Sequence, residues 1–399
     1  MSSEMTIDKV APTDNMVGNN TSPTAGIKKM CRRIIAGGLY HSGMLRAVRR
    51  LALTHEARTM AGVRLPRLER TAASKFGILC YHRVGTEGVP LFSRLDPRTF
   101  EAQMGYIRKH YRVVSLAQLC HELQQAHPVP PTVAITFDDG YRDLYSRAFP
   151  VLQRYEIPAT VYLIGRCMET GEAPWYDRIF VALDSAPGHT LDLELSEPRR
   201  FGLSSTAARA GAAWEIVCYL RSIPDVKRRE WCAAFDHQMH LPENRLADRM
   251  LDWEQVHAMQ RGGVFFGAHT MSHPAVSQLQ PSAFEEELSL PKRFLESNLD
   301  ASVEDFAYPF GKPEDCGSEA GKFLSRCGYR SAATTSEGIN STGVDAFQLH
   351  RMQIGDDPSL SQFAFHIARM FLEPSTGEQT HAAASEPGKT ATLQANRSV

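Results

Sequence analysis

Four side chains carry the chemistry this sequence offers: Asp138, Asp139, His269 and His273. The two aspartates close the run from Thr132 to Gly140. A short apolar stretch bounded by Pro131 and Gly140 has the pattern of a buried parallel strand. Carboxylates at the C-terminal mouth of such a strand sit where α/β folds place their reactions. Adjacent side chains diverge along a continuing strand, but at a strand end that turns on glycine both can address one pocket in different roles. Taken alone, Asp-Asp-Gly is equally a turn. The histidines close a second apolar run, from Gly263 to Ala268, and stand four residues apart. That spacing predicts one helical turn with both imidazoles on one face. Two imidazoles and a carboxylate make a donor set for a first-row metal with positions left open for water. A lone His-x-x-x-His pair also serves surface and core roles; here both pairs of polar residues end apolar strands, which favours a shared site.

Thr136-Phe-Asp-Asp-Gly140 and His269-Thr-Met-Ser-His273 resemble the first two motifs of the polysaccharide deacetylases with a NodB-homology domain, carbohydrate esterase family 4. Ala307-Tyr-Pro-Phe-Gly311 is similar to the third. The resemblance covers roughly residues 75–370 and leans toward the branch that deacetylates biofilm poly-N-acetylglucosamine. It implies a deformed (β/α) barrel of about seven parallel strands, and one divalent metal, zinc being the expected ion, on Asp139, His269 and His273. It further implies Asp138 as general base and the backbone N–H near Phe310 as an oxyanion donor. His82, in Tyr81-His82, resembles the general acid of the poly-N-acetylglucosamine branch; His350, in Leu349-His-Arg351, is the alternative. Much of the family carries an arginine where Ala307 stands, so another cation must orient Asp138, with Arg351 and Arg142 as candidates. Tyr308, Trp253 and Arg351 are the expected substrate contacts. Trp253 is a sugar platform or a core residue, and Trp175 to Arg178 line the groove or anchor an insertion.

These residues need a frame to hold them. Apolar runs at 76–82, 112–115, 132–137, 159–164, 264–268, 303–308, 329–334 and 347–354 alternate with helical patterns, as parallel strands joined by crossovers do. Residues 175–250 break the rhythm with helical stretches at 207–220 and 227–239, so they read as a helical insertion. The whole domain is expected over 75–372.

The chain has 399 residues, 43% hydrophobic and 22% charged, with a net charge of −1. That is an ordinary globular composition, with no global field to favour nucleic acid. Eight scattered cysteines without a Cys-x-x-Cys read as reduced thiols of a reducing compartment. Residues 1–25 and 373–399 are polar and expected to be disordered. No leader pattern or membrane-length apolar run is seen, which points to the cytoplasm. Within a helical segment expected over 26–74, residues 27–53 interleave basic and apolar residues. They read as a helix pair packed on the enzyme or touching an anionic membrane at its inner face. The function expected is metal-dependent removal of N-acetyl groups from an N-acetylhexosamine in a glycan or glycan precursor. Hydrolysis of another amide or an O-acetyl ester is the alternative. A non-catalytic glycan-binding module is the third reading, but it would have no use for Asp138.

Overall fold

The computed structural model describes residues 74–372 except 87–93, 126–128, 242–245, 247–248 and 356–358. The segments expected to be disordered and the basic stretch 27–53 lie outside the described residues. Strand β1 (Lys75–Tyr81) is followed by helix α1 (Pro97–His110), strand β2 (Arg112–Val113), α2 (Leu116–Leu123) and β3 (Thr132–Phe137). A π-helical turn at Leu144–Ala148 leads into α3 (Phe149–Arg154), then β4 (Ala159–Leu163) and α4 (Gly165–Thr170). The insertion holds α5 (Trp175–Ser185), β5 (Thr190–Glu194), β6 (Pro198–Gly202), α6 (Thr206–Ser222) and α7 (Asp225–Met239). The alternation resumes with α8 (Trp253–Arg261), β7 (Val264–Ala268), α9 (Leu290–Leu299) and β8 (Asp305–Ala307). It ends with α10 (Pro313–Cys316), α11 (Ala320–Arg326), β9 (Ser331–Ala333), β10 (Asn340–Ser341), β11 (Met352–Gln353) and α12 (Leu360–Leu372).

Strands β1, β3, β4, β7, β8 and β9 lie side by side in that order and run parallel. Closure comes from the last strand-like segment. Leu349 bridges Ala333 of β9, and Met352–Gln353 pair with Leu79 and Cys80 of β1. The chain therefore joins the two edges of the sheet and curls it into the expected deformed barrel. The strand expected over 347–354 is broken in the middle, because the Arg351 N–H turns to the Ser336 carbonyl at 3.0 Å. Its side chain meanwhile fills the interior, with no exposure at all.

Alternation along the strands separates two apolar layers. Phe76, Ile78, Ala134, Tyr162, Ala307, Ala333 and Leu349 fill the barrel interior with residues of α2. Leu79, Tyr81, Val133, Ile135, Phe137, Val161 and Leu163 face outward onto the helices. The same parity carries Cys80, His82, Thr136 and Asp138 into the interior near the C-terminal mouth. Local chemistry fixes the helix starts. Asp96 caps α1 by accepting from the Arg98 and Thr99 N–H groups, and Asp252 and Gln255 form a reciprocal capping box on α8.

The sequence led us to expect a helical insertion, and the insertion also holds strands. Residues 190–202 form an antiparallel hairpin. Its strands are short, and mostly exposed apart from Leu193 and Phe201, so the apolar alternation is only two residues deep. The insertion packs its own core around Ile179, Leu183, Ala213, Ile216 and Leu220, and Phe310 of the barrel plugs into that core.

Candidate metal and catalytic site

Strand pairing builds the site. Tyr81 and Phe137 are register partners of β1 and β3, and the next N–H, that of Asp138, donates to the Tyr81 carbonyl at 3.0 Å. The chain then turns sharply, with Asp139 at φ 74° and Gly140 at φ 82°. A Cβ at Gly140 would stand 2.6 Å from Leu163 Cδ2, so the turn requires glycine. Asp138 and Asp139 consequently point to two different places. Asp138 stays on the interior parity of the strand, and Asp139 swings toward β7.

At β7, the His269 N–H donates to the Leu163 carbonyl at 2.9 Å. The His269 Nδ1–H reaches the Ala307 carbonyl at 2.7 Å, which leaves Nε2 free to face Asp139. The helical turn expected over 269–273 is not formed. Thr270 and His273 instead adopt left-handed backbone, at φ 61° and 58°, and the loop doubles back so that the two imidazole rings lie 4.8 Å apart. Thr270 Oγ1 closes the loop by accepting the His273 N–H at 2.9 Å. Buried Glu287 holds it from behind, accepting the Met271 and Ser272 N–H groups at 3.0 and 2.9 Å. Left-handed non-glycine residues are strained and persist where their surroundings over-determine them.

The ligand atoms of Asp139, His269 and His273 all fall within 4.8 Å of one another. Asp139 Oδ1 is 3.6 Å from His269 Nε2 and 3.4 Å from His273 Nε2. Yet Asp139 Oδ1 and His273 Nδ1 are buried without a hydrogen-bond partner among the described residues. Burial, and after it the Asp138 charge, pushes the Asp139 carboxyl up, while burial takes His269 down to about 4 and His273 well below the usual imidazole value. Neutral imidazoles around a carboxylate that resists ionisation are what a divalent cation would relieve. The residues present fit such an ion.

Asp138 has a different environment. Burial is the largest single influence and raises its carboxyl, but the Arg351 guanidinium, His269 and His82 together hold it well below the usual carboxylate range. Of the two arginines open from sequence, Arg351 makes the contact. Arg142 lies 3.7 Å from Asp252 at the barrel rim. Arg351 was also expected to touch substrate; a guanidinium with no exposed surface cannot. Cys80 Sγ lies 3.5 Å from Asp138 Oδ2, and His82 Nε2 is 4.0 Å from the same oxygen with a third of its side chain open to solvent. Burial lowers the His82 imidazole, and Asp138 acts against that.

His350 is not brought to this cluster. Its backbone pairs with the Asn340 side chain, and its ring packs against Gly338, where a Cβ would come within 3.3 Å. It follows Leu349 on the parity opposite to Arg351, away from Asp138. Tyr308, expected to contact substrate, is fully buried and donates its hydroxyl to the Phe347 carbonyl at 3.1 Å. Trp253 is half-buried, its ring against Phe294 and His257. Phe310 does sit at the site, its ring 5.1 Å from that of His273. Its φ is 59°, and its carbonyl accepts from Thr335 Oγ1 at 2.6 Å. Its N–H has no acceptor among the described residues. Glu287 and Cys80 escaped sequence reading because neither belongs to a motif, and only the barrel brings them to the mouth.

No helix of the described residues is long and apolar enough to cross a membrane. Comparison with known proteins agrees with the geometry. The chain is 23% identical over 299 residues to YxkH of Bacillus subtilis (strain 168), whose name sets it among the polysaccharide deacetylases; the match covers 74% of this chain and 77% of that one. It is 23% identical over 301 residues to the poly-β-1,6-N-acetyl-D-glucosamine N-deacetylase of Escherichia coli (strain K12), covering 73% of this chain but only 38% of the larger relative. The structure of the Streptococcus pyogenes deacetylase PplD in complex with acetate superposes with a TM-score of 0.52 at 21% identity, across 76% of this chain and all of that one. That likeness establishes a shared fold. The polysaccharide deacetylase family model matches residues 125–332, from ahead of the Asp138 strand into β9, and this chain belongs to that family.

Proposed function

We propose that this protein is a zinc-dependent N-deacetylase acting on N-acetylhexosamine residues of a glycan. The observation that carries the reading is the convergence of Asp139 with His269 and His273, from strands far apart in sequence, beside a second carboxylate held ionised by Arg351. Asp139 Oδ1 and the two imidazole Nε2 atoms would hold the ion. A divalent ion there supplies Lewis-acid polarisation of the acetamide carbonyl and acidifies water.

The chain's own groups do the rest. Asp138, ionised and oriented by Arg351, accepts the proton of the attacking water. The Phe310 N–H is an unspent donor for the charge that develops on the carbonyl oxygen. His82, its Nε2 4.0 Å from Asp138 Oδ2, takes up the proton that Asp138 accepted and passes it to the nitrogen as the C–N bond breaks. The products are acetate and a free amine on the sugar. The Escherichia coli relative is named for the same class of reaction, which supports the choice of an N-acetylated hexosamine. The test is acetate release from N-acetylglucosamine oligomers, with and without a chelator, alongside an O-acetylated sugar. Chelator-sensitive release from the amide substrates is expected. Release from the ester alone would overturn the N-acetyl assignment, and full activity after exhaustive chelation would overturn the metal.

A further inference from the structure

The insertion reaches the site at several points, with the Tyr176 ring 4.8 Å from the His273 ring and Arg221 5.2 Å from the Phe310 ring. Trp175 is the residue that touches both loops and hydrogen-bonds the backbone of one. Trp175 opens α5, and its indole N–H donates to the His273 carbonyl at 3.0 Å. Its ring lies tilted against Phe310, with centroids 6.2 Å apart, and nearly perpendicular to Tyr176 at 5.6 Å. Arg228 of α7 covers the ring at 5.0 Å and is itself fastened to Asp225 Oδ1 at 2.8 and 2.6 Å. Arg228 also reaches Ser272 Oγ at 3.2 Å. The indole is only 9% exposed, with its N–H engaged and its ring covered by Arg228, so it offers a sugar no stacking face.

Both loops that Trp175 touches carry left-handed backbone at the residue touched, His273 and Phe310. Such conformations persist only where surrounding contacts impose them. Glu287 fixes the middle of the histidine loop from the barrel side. The end of that loop, at His273, is held from the insertion side by Trp175 on its carbonyl, with the Tyr176 ring beside the imidazole. We propose that Trp175 is a positioning residue through which the insertion holds His273 and Phe310 in working geometry and so sets the metal affinity of the site. The inference rests on the metal-site reading above. It gives the insertion a structural duty toward the ligand loop in place of a groove wall for the glycan.

Trp175→Phe tests it, because it keeps an aromatic ring while removing the N–H donor and part of the indole's bulk. Metal affinity by chelator competition should weaken ~10–100-fold, as loss of an outer partner of a ligand does. KM for the glycan should stay unchanged and kcat should recover with added zinc. Hydrogen exchange of the metal-free chain should quicken over residues 270–273 and 309–311, a readout that needs neither metal nor turnover. Parent-like exchange and affinity would overturn the proposal, as would a raised KM at unchanged affinity. If Trp175→Phe does not fold, Arg228→Met loosens the same indole and is read by the same exchange and affinity measurements. A parent protein that binds no zinc would sink the metal reading, while the exchange data would still decide whether Trp175 holds the two loops.

Discussion

Arg351 sets its two terminal nitrogens on the two oxygens of Asp138, at 2.7 and 2.8 Å, from a position with no solvent exposure. Its Nε–H donates to the Thr334 carbonyl at 2.7 Å, so the fork cannot rotate away. This geometry keeps a buried carboxylate ionised and aimed. Arg351→Lys would replace the fork by a point charge, and the Asp138 carboxyl would rise. The acidic limb of the kcat/KM profile should move to higher pH, and turnover should fall. Arg351→Met, which strands a buried charge, should also destabilise the fold by ~3–5 kcal/mol. An unmoved acidic limb in Arg351→Lys would show that Asp138 is not the group titrating there.

The two adjacent aspartates should separate by function. Asp138→Asn is expected to keep metal and lose ~10²–10⁴-fold in turnover, the usual scale of general-base catalysis. Asp139→Asn should lose metal affinity first, with activity partly restored by excess zinc. Elemental analysis of both variants, and of His269→Ala with His273→Ala, reads this directly. Unchanged metal content in the double histidine variant would refute the ligand set.

His82 and His350 can be told apart by leaving group. His82→Ala should slow acetamide hydrolysis, and the loss should shrink on an aryl acetate, whose leaving group needs little protonation. His350→Ala, packed behind Gly338, should cost little on either substrate. Equal activity of His82→Ala and the parent on the acetamide would transfer the acid role elsewhere.

Asp305 offers a test of the fold away from the chemistry. Burial lifts its carboxyl to about 6, with Ser331 Oγ donating to it at 2.6 Å and Glu304, Arg330 and Lys292 as the charged neighbours. A raised carboxyl is protonated in the fold where it is ionised in the unfolded chain. Stability therefore falls as pH rises from the unfolded value, ~3.9, through about 6, and levels off above. Asp305→Asn should match the parent near the lower end of that window and exceed it at pH 8 by about 1–3 kcal/mol. Thermal melts at the two pH values check this; an equal Tm difference at both would remove the argument.

The sequence by itself determined the parts whose information is local. The strand from Thr132 into two aspartates, the second strand into two histidines, the alternation of strands and helices and the third motif at Ala307–Gly311 are all contiguous runs. The family these runs resemble implied the barrel and the meeting of Asp139 with His269 and His273. Contacts between distant segments were decided by the tertiary structure. Arg351 and Arg142 are equivalent in sequence, and only closure of β9 onto β1 through Leu349 and Met352 places the first on Asp138. His82 and His350 likewise differ only in parity around the barrel mouth. The helical turn read from the four-residue spacing of His269 and His273 became a left-handed loop, because Glu287, Thr270 and Trp175 capture its backbone groups. Periodicity records which face a residue takes along its own element; it holds no record of the partner that will meet it from an element a hundred or more residues away.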